Sequence, residues 1–149
     1  MPSRPPVTIR MCREGDLAEV LEIERESFED PYDREKFLQL LWLEPEGFIV
    51  AETNADMVGY VASSAKHGII FSLAVSGQAR RKGVGSTLME AALKYMRETS
   101  ETVSLQVRVS NSVAIHLYEN FGFTRQGTVK RYYRDGEDAL VMFLNFRSE

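Results

Sequence analysis

The stretch AVSGQARRKGVGSTLMEAAL, residues 74–93, places a basic run before two glycines and begins an apolar helical pattern directly after them. The basic run is Arg80, Arg81 and Lys82, and the glycines are Gly83 and Gly85. A helix start leaves backbone N–H groups unpaired at the positive end of the helix dipole, and a residue without a Cβ lets an anion approach that backbone. The stretch therefore predicts an anion site, most naturally for phosphate.

Two common phosphate loops do not fit this stretch. A P-loop requires Lys followed by Ser or Thr after its second glycine, and neither glycine here is followed in that way. A dinucleotide loop, G-x-G-x-x-G, requires a third glycine at the position of Leu88. On pattern alone, a glycine turn beside a solvated basic surface remains the alternative.

Length and composition indicate one globular domain spanning residues 1–149. The chain has 44% hydrophobic and 27% charged residues, and three prolines among the first six residues predict a flexible tail at 1–6. The formal net charge of -4 argues against a nucleic-acid partner. A local anion site on an acidic body is the better fit.

Cysteine content and hydropathy bear on location. Cys12 is the only cysteine, which excludes an intramolecular disulfide and suits a reducing compartment. The apolar runs are shorter than the roughly 20 residues that a bilayer requires, and the N-terminus lacks an apolar signal segment. We expect a cytoplasmic protein with no membrane partner.

The hydrophobic periodicity predicts the element order βααβββαβαββ. This is an α/β (α+β, three-layer) fold, with a mixed, mostly antiparallel sheet of about seven strands flanked by four helices. Asp16 and Asp33 are predicted to cap the first two helices, and Ser110 or Asn111 the last. The run GIIFSLAV, 68–75, predicts a central strand covered on both faces, and Val109 is placed on the apolar face of the next strand.

Several segments together resemble the GNAT acetyltransferases. RRKGVG resembles the family's R/Q-x-x-G-x-G/A loop, which holds the pyrophosphate of acetyl-CoA, and SLAV resembles the strand that pairs with the pantetheine arm. VRVSNSVAIHLYENFGF resembles the following strand and helix, and YYRDGEDALVM resembles the end of RimI-like and archaeal N-terminal acetyltransferases. The resemblance spans 7–146 in the family's order. It implies the GNAT fold, acetyl-CoA as cosubstrate and no metal.

The resemblance also assigns residues by matched position. The implied acetyl-CoA contacts are Leu73, Ala74, Val75, Arg80, Arg81, Lys82, Gly83, Val84, Gly85, Ser86, Thr87, Asn111 and Tyr118. The implied contacts of the acceptor peptide are Phe28, Glu29, Tyr32, Tyr132 and Tyr133.

Acetyl transfer to an amine requires a neutral amine, a donor for the oxyanion and a proton for the leaving thiolate. Tyr118 is the implied general acid, and its seven-residue spacing from Asn111 places both on one helix face. A backbone N–H on the strand 73–75, left unpaired by separation from its neighbour, is the predicted oxyanion donor.

The general base is where this sequence departs from its relatives. Gln106 stands where many of them carry Glu or His, and Ile69 where some archaeal ones carry His. An amide cannot take a proton, so Gln106 is assigned to positioning water. His67 is a candidate base if its strand extends that far, with a surface histidine as the alternative. The acidic candidates are Glu29, Asp30 and Glu137.

These observations predict an Nα-acetyltransferase that acts on protein N-termini by direct attack in a ternary complex, with transient ribosome or nascent-chain contact. The alternatives are a GNAT enzyme for lysine side chains or small amines, and an acetyl-CoA sensor with weak catalysis. A ping-pong route through Cys12 is less favoured than a packing role for that residue. A nucleic-acid binder using Arg80–Lys82 is disfavoured by the net charge.

The basic run provides the first test. Replacing Arg80, Arg81 and Lys82 by Glu should weaken coenzyme A binding, because three cations beside the predicted diphosphate site become three anions. Isothermal titration calorimetry with coenzyme A measures the loss. No binding heat with the original chain, together with unchanged use of the acyl donor by the variant, would contradict the predicted site.

Overall fold

The structure is a computed structural model that describes residues 6–54, 56–79 and 83–147. The described residues confirm the predicted order of seven strands and four helices. The strands are β1 (Thr8–Met11), β2 (Phe48–Thr53), β3 (Asp56–Ser64), β4 (Ile69–Val75), β5 (Thr102–Arg108), β6 (Thr124–Val129) and β7 (Ala139–Asn145). The helices are α1 (Leu17–Ser27), α2 (Arg34–Leu43), α3 (Val84–Arg97) and α4 (Ser112–Asn120).

The strands form one mixed sheet in the order β1-β2-β3-β4-β5-β7-β6. Every neighbouring pair is antiparallel except β4 and β5, which are parallel. This pair stands in the middle of the sheet. It is parallel because α3 is a crossover that carries the chain from the end of β4 back to the start of β5.

Helices cover both faces of the sheet, as the three-layer prediction requires. On one face α1 and α2 pack on a cluster that includes Phe37, Phe48 and Tyr60, with the Phe37 and Tyr60 ring centroids 5.6 Å apart. On the other face α3 and α4 bury residues such as Leu88 and Ile115. The helix periodicity seen in the sequence is therefore satisfied by burial against the sheet.

Two helix caps are confirmed and one is wrong. Asp33 accepts a hydrogen bond from Lys36 N at 2.9 Å, and Asn111 caps α4. Asp16 stands at the N-cap position of α1, but its side chain makes no capping hydrogen bond: its carboxylate accepts from Arg13 N at 2.7 Å and pairs with Arg10 at 2.7 Å. A 3₁₀ turn at Glu14–Asp16 precedes the helix, so this side chain serves the turn and not the helix.

Two expectations about the central strands are also corrected. β5 ends at Arg108, so Val109 lies beyond the strand and is 43% exposed. β4 is not fully covered, because alternate residues such as Phe71 and Leu73 are only half-buried and line a cavity. β4 also carries a bulge: Ser72 pairs with Ala62 and Ile70 with Ser63, which leaves Phe71 without a partner on β3.

Candidate active site

The cavity arises where β4 and β5 separate. Across the described strands the register contains one pair, Ile69 with Ser104, and Ser104 N donates to Gly68 O at 2.8 Å. No second register pair joins β4 and β5 within the part of the chain that the structure describes. A cavity of about 680 Å³ occupies the gap and extends to the α1–α2 and β6–β7 connections.

The cavity brings together many of the predicted residues from distant parts of the chain. Those that line it are Phe28, Tyr32, Leu73, Gln106, Asn111, Tyr118, Tyr132 and Tyr133. Those that do not line it are Glu29, His67, Ala74, Val75, Gly83, Val84, Gly85, Ser86 and Thr87. Arg80, Arg81 and Lys82 lie outside the described residues.

The start of α3 has the geometry that the glycine loop predicted. Gly83 is the N-cap residue and adopts the left-handed conformation with φ 81°, which glycine reaches without steric cost. Thr87 N and Thr87 Oγ1 each donate to Gly83 O at 3.0 Å, which fixes the first turn. A Cβ on Gly85 would lie 3.4 Å from Leu117 of α4 and 3.7 Å from Val75 at the end of β4. The first amides of α3 therefore lie beside the end of the gap.

Asn111 couples helix capping to the cavity wall. Its Oδ1 accepts from Ala114 N at 3.2 Å at the start of α4. The side-chain NH₂ group has two further donors. Because the residue lines the cavity, these donors are suited to the amide carbonyls of an extended ligand.

Tyr118 lies deeper in the cavity, on the buried face of α4. Only 7% of the residue is exposed, and its ring centroid lies 5.9 Å from that of Phe123. Burial, with a smaller contribution from nearby Tyr133, raises the pKa of Tyr118 to about 12. The phenol is therefore a neutral hydroxyl donor throughout the physiological range.

Aromatic side chains form the opposite end of the cavity. Tyr32 comes from the α1–α2 connection, whereas Tyr132 and Tyr133 come from the β6–β7 connection and pack edge to face with ring centroids 5.0 Å apart. Burial is the main cause that raises the pKa of Tyr32, and it raises the pKa of Tyr133 to about 12. All of these phenols can bond polar backbone groups of a peptide while their rings shape a pocket.

Two residues weighed for proton or acyl transfer are misplaced for such a role. β4 begins at Ile69, so His67 lies in the turn before it, exposed and outside the cavity, where its backbone N donates to Ser64 Oγ at 3.0 Å. Cys12 is buried away from the cavity, and burial raises the pKa of its thiol to about 12. A thiol held in this form is a poor nucleophile.

Glu24 is a cavity residue that the sequence reasoning missed. It is 2% exposed and accepts hydrogen bonds from Tyr60 OH, from Ser72 Oγ at 2.9 Å and from Tyr32 N at 2.9 Å. Three hydrogen-bond donors on one carboxylate compensate for its burial. The sequence did contain an indication of this burial, because Glu24 falls at helical spacing between Leu21 and Phe28 on the apolar face of α1.

Lys36 was missed as well. It follows Asp33 in the first turn of α2 and lines the cavity. Its Nζ lies 5.8 Å from the ring centroid of Tyr32 and 5.5 Å from that of Phe71. Contact with two aromatic rings holds this cation at the wall. The sequence pattern showed only an exposed position near a helix start, which is common for lysine.

Two searches of the described residues concern other classes of site. No described helix combines the length and the apolar character needed to cross a membrane. Within 6–54, 56–79 and 83–147, no group of three or more His, Cys, Asp or Glu residues is arranged to hold a metal ion.

Comparison with known proteins agrees with this geometry. The Acetyltransferase (GNAT) family model matches residues 17–123. An N-alpha-acetyltransferase from Sulfurisphaera tokodaii is 36% identical over 90% of each chain. The crystal structure of Ard1 from Thermoplasma volcanium has a TM-score of 0.90 and 32% identity, covering 95% of this chain and 99% of that one. Naa50 of Arabidopsis thaliana, in complex with the bisubstrate analogue CoA-Ac-MVNAL, has a TM-score of 0.83 and 25% identity, covering 94% and 99%.

One family assignment agrees with the separated central strands, with the glycine-capped start of α3 and with the length of chain that the family model matches. The chain belongs to the GNAT family of acetyltransferases.

Proposed function

We propose that this chain is an N-terminal protein acetyltransferase that transfers acetyl from acetyl-CoA to the α-amine of a protein. The observation that carries the proposal is the cavity, which reaches from Asn111 and Tyr118 to the aromatic residues Tyr32 and Tyr133. One end suits an extended thioester arm and the other suits a peptide backbone, so the two substrates would meet between β4 and β5. The Ard1 and Naa50 neighbours support the peptide as acceptor.

Acetyl-CoA would bind along β4 and over the start of α3. The left-handed Gly83 and the unsubstituted Gly85 leave the first amides of α3 accessible to a diphosphate. The predicted cations at 80–82 would add to this attraction. Asn111 would donate to the amide carbonyls of the arm, and β4 backbone groups on the edge facing β5 would pair with it.

Chemistry in the ternary complex would begin with a neutral amine. At pH 7 roughly a tenth of a peptide α-amine, with a pKa near 8, is already neutral. Gln106 would position the water that takes the ammonium proton, because an amide can orient water but cannot accept the proton itself. The neutral nitrogen then attacks the thioester carbonyl, and a backbone N–H on β4 stabilises the oxyanion. As the C–S bond breaks, the nitrogen of this intermediate passes one proton to solvent through the water at Gln106, which leaves a neutral amide and a thiolate.

Tyr118 would act on the leaving sulfur. With a pKa of about 12, it cannot give its proton completely to a thiolate of pKa about 8.5 without an uphill step of about 5 kcal/mol. Its main contribution is therefore a hydrogen bond that strengthens as negative charge develops on the sulfur. The thiolate gains its proton from Tyr118 or from water as CoA leaves.

Newly made proteins are the natural source of free α-amines, so the proposal includes a cytoplasmic location and transient contact with nascent chains. The single buried Cys12 agrees with a reducing compartment. Tyr32, Lys36 and Phe71 line the cavity and would shape the preference for the first residue of the peptide.

The acceptor test compares one peptide in two forms. The first form has a free N-terminus beginning with Ser, Ala or Met and no lysine; the second is blocked at the N-terminus and carries one lysine. At pH 7 we expect CoA release to be at least about a hundredfold faster with the first, because less than a thousandth of a lysine amine is neutral. Equal or faster reaction with the lysine peptide or with a polyamine would favour the alternative acceptors.

Tyr118→Phe tests the proposed donor to sulfur. We expect kcat to fall by about a hundredfold, within the range that a positioned proton donor contributes, with unchanged affinity for acetyl-CoA. Tyr95→Phe is the matched control, since Tyr95 bonds Glu44 outside the cavity. If the original chain and Tyr118→Phe release CoA equally slowly, the protein is an acetyl-CoA sensor.

The pH profile follows from the pKa values. The rate should rise with pH through the α-amine pKa near 8, since only the neutral amine attacks. It should then stay level to beyond pH 10, because a phenol with a pKa of about 12 is still almost fully protonated there. Initial rates between pH 6 and 10.5 measure both features. A descending limb near pH 9, absent in Tyr118→Phe, would contradict the protonated donor.

A further inference from the structure

The guanidinium of Arg108 binds carboxylates from two separate connections of the chain. Its Nη1 donates to Asp135 Oδ2 at 2.9 Å and to Glu137 Oε1 at 2.8 Å, and both acceptors lie between β6 and β7. Its Nη2 donates to Asp30 Oδ2 at 3.1 Å, which lies between α1 and α2. Glu29 is at the limit of an ion pair, at 4.0 Å.

The same guanidinium stacks on an acceptor aromatic. Arg108 Cζ lies 4.1 Å from the ring centroid of Tyr133, which is within the distance of a strong cation–π contact. Asp30 adds a direct link between the two connections, because its Oδ2 also accepts from Arg134 N at 3.0 Å. We call Arg108, Asp30, Tyr133, Asp135 and Glu137 together the Arg108 clamp.

Arginine is suited to this position in a way that lysine is not. Its planar fork of five donors reaches carboxylates in two directions while the flat face stacks on Tyr133. The side chain is 14% exposed, so water and salt screen these contacts less than they would at the surface. Without the guanidinium, Asp30, Asp135 and Glu137 would repel one another, and the two connections would separate.

The clamp lies at the acceptor end of the cavity. Tyr32 follows Asp30 by two residues, and Tyr133 lies directly against the guanidinium. We propose that Arg108 is a positioning residue, which sets the distance between Tyr32 and Tyr133 and thereby the width of the groove that takes the acceptor peptide. This inference rests on the proposed function for the identity of the acceptor.

The alternative is that Arg108 only stabilises the fold, and Arg10 supplies the matched comparison. Arg10 also joins two carboxylates, with Nη1 2.7 Å from Asp16 and Nε 2.9 Å from Glu52, and it does not line the cavity. Arg108→Lys and Arg10→Lys therefore each remove a guanidinium that bridges carboxylates, one at the cavity and one away from it. A general loss of stability would affect the kinetics of both variants alike, whereas a positioning role would affect only one.

The experiment measures KM and kcat for a free N-terminal peptide, and KM for acetyl-CoA, in the original chain and both variants. For Arg108→Lys we expect the peptide KM to rise about tenfold, equivalent to about 1.4 kcal/mol, with kcat within about twofold and the acetyl-CoA KM unchanged. Arg10→Lys should leave all three constants unchanged. An unchanged peptide KM in Arg108→Lys, or an equal rise in Arg10→Lys, overturns the inference.

A second readout separates this inference from the proposed function. If the original chain acetylates no peptide, the proposed acceptor is wrong, but the clamp is still tested by amide hydrogen exchange. Exchange at residues 28–33 and 131–138 should accelerate in Arg108→Lys and stay unchanged in Arg10→Lys. Equal protection of both connections in all three proteins means that Arg108 does not hold them together.

Discussion

The separation of β4 from β5 is the constraint on which the rest of the structure depends. β5 pairs with β7 at seven positions and β4 pairs with β3 along its length, yet the two central strands share one pair, Ile69 with Ser104. Each strand is thus held firmly on its outer side while a gap opens between them. Backbone groups of a sheet need partners, so an opening in the middle of a sheet is a site for an extended ligand with amide groups.

The two ends of this opening differ in chemistry. The start of α3 supplies amides and a positive dipole end next to Val75 and Leu117, whereas the other end is enclosed by tyrosines. Tyr118 of α4 lines the opening, and burial raises its pKa to about 12, so its phenol stays protonated and is a weak acid. Under the proposed function, the acetyl donor would bind at the first end and the peptide at the second.

Glu24 and the Arg108 clamp hold the chain segments that carry the tyrosines of the cavity. Glu24 accepts from the backbone of Tyr32 and ties that residue to Tyr60 and Ser72 of the sheet. The Arg108 clamp holds the opposite wall and joins it to the α1–α2 connection. Glu24 and the Arg108 clamp are both assigned to holding the cavity walls and not to taking a proton. The proposed reaction does not need a general base of this kind, because an α-amine is partly neutral at physiological pH.

The sequence by itself determined the order of elements, the glycine-led start of α3 and the caps at Asp33 and Asn111. These features rest on local periodicity and on backbone conformations that particular residues favour. The resemblance further implied that Gln106 and Ile69 stand where some related enzymes carry a base, and this stays a prediction.

Only the tertiary structure decided which side chains share the cavity. His67 lies in the turn two residues before β4, which begins at Ile69. The side chain of Asp16 bonds within a 3₁₀ turn, which the hydrophobic periodicity does not predict. Glu24 and Arg108 gained their roles from partners 36 and 78 residues away, Tyr60 and Asp30. Such contacts depend on how strands and helices meet in space. Local sequence fixes the conformation of each segment, but the position of one segment against another follows from packing across the whole sheet.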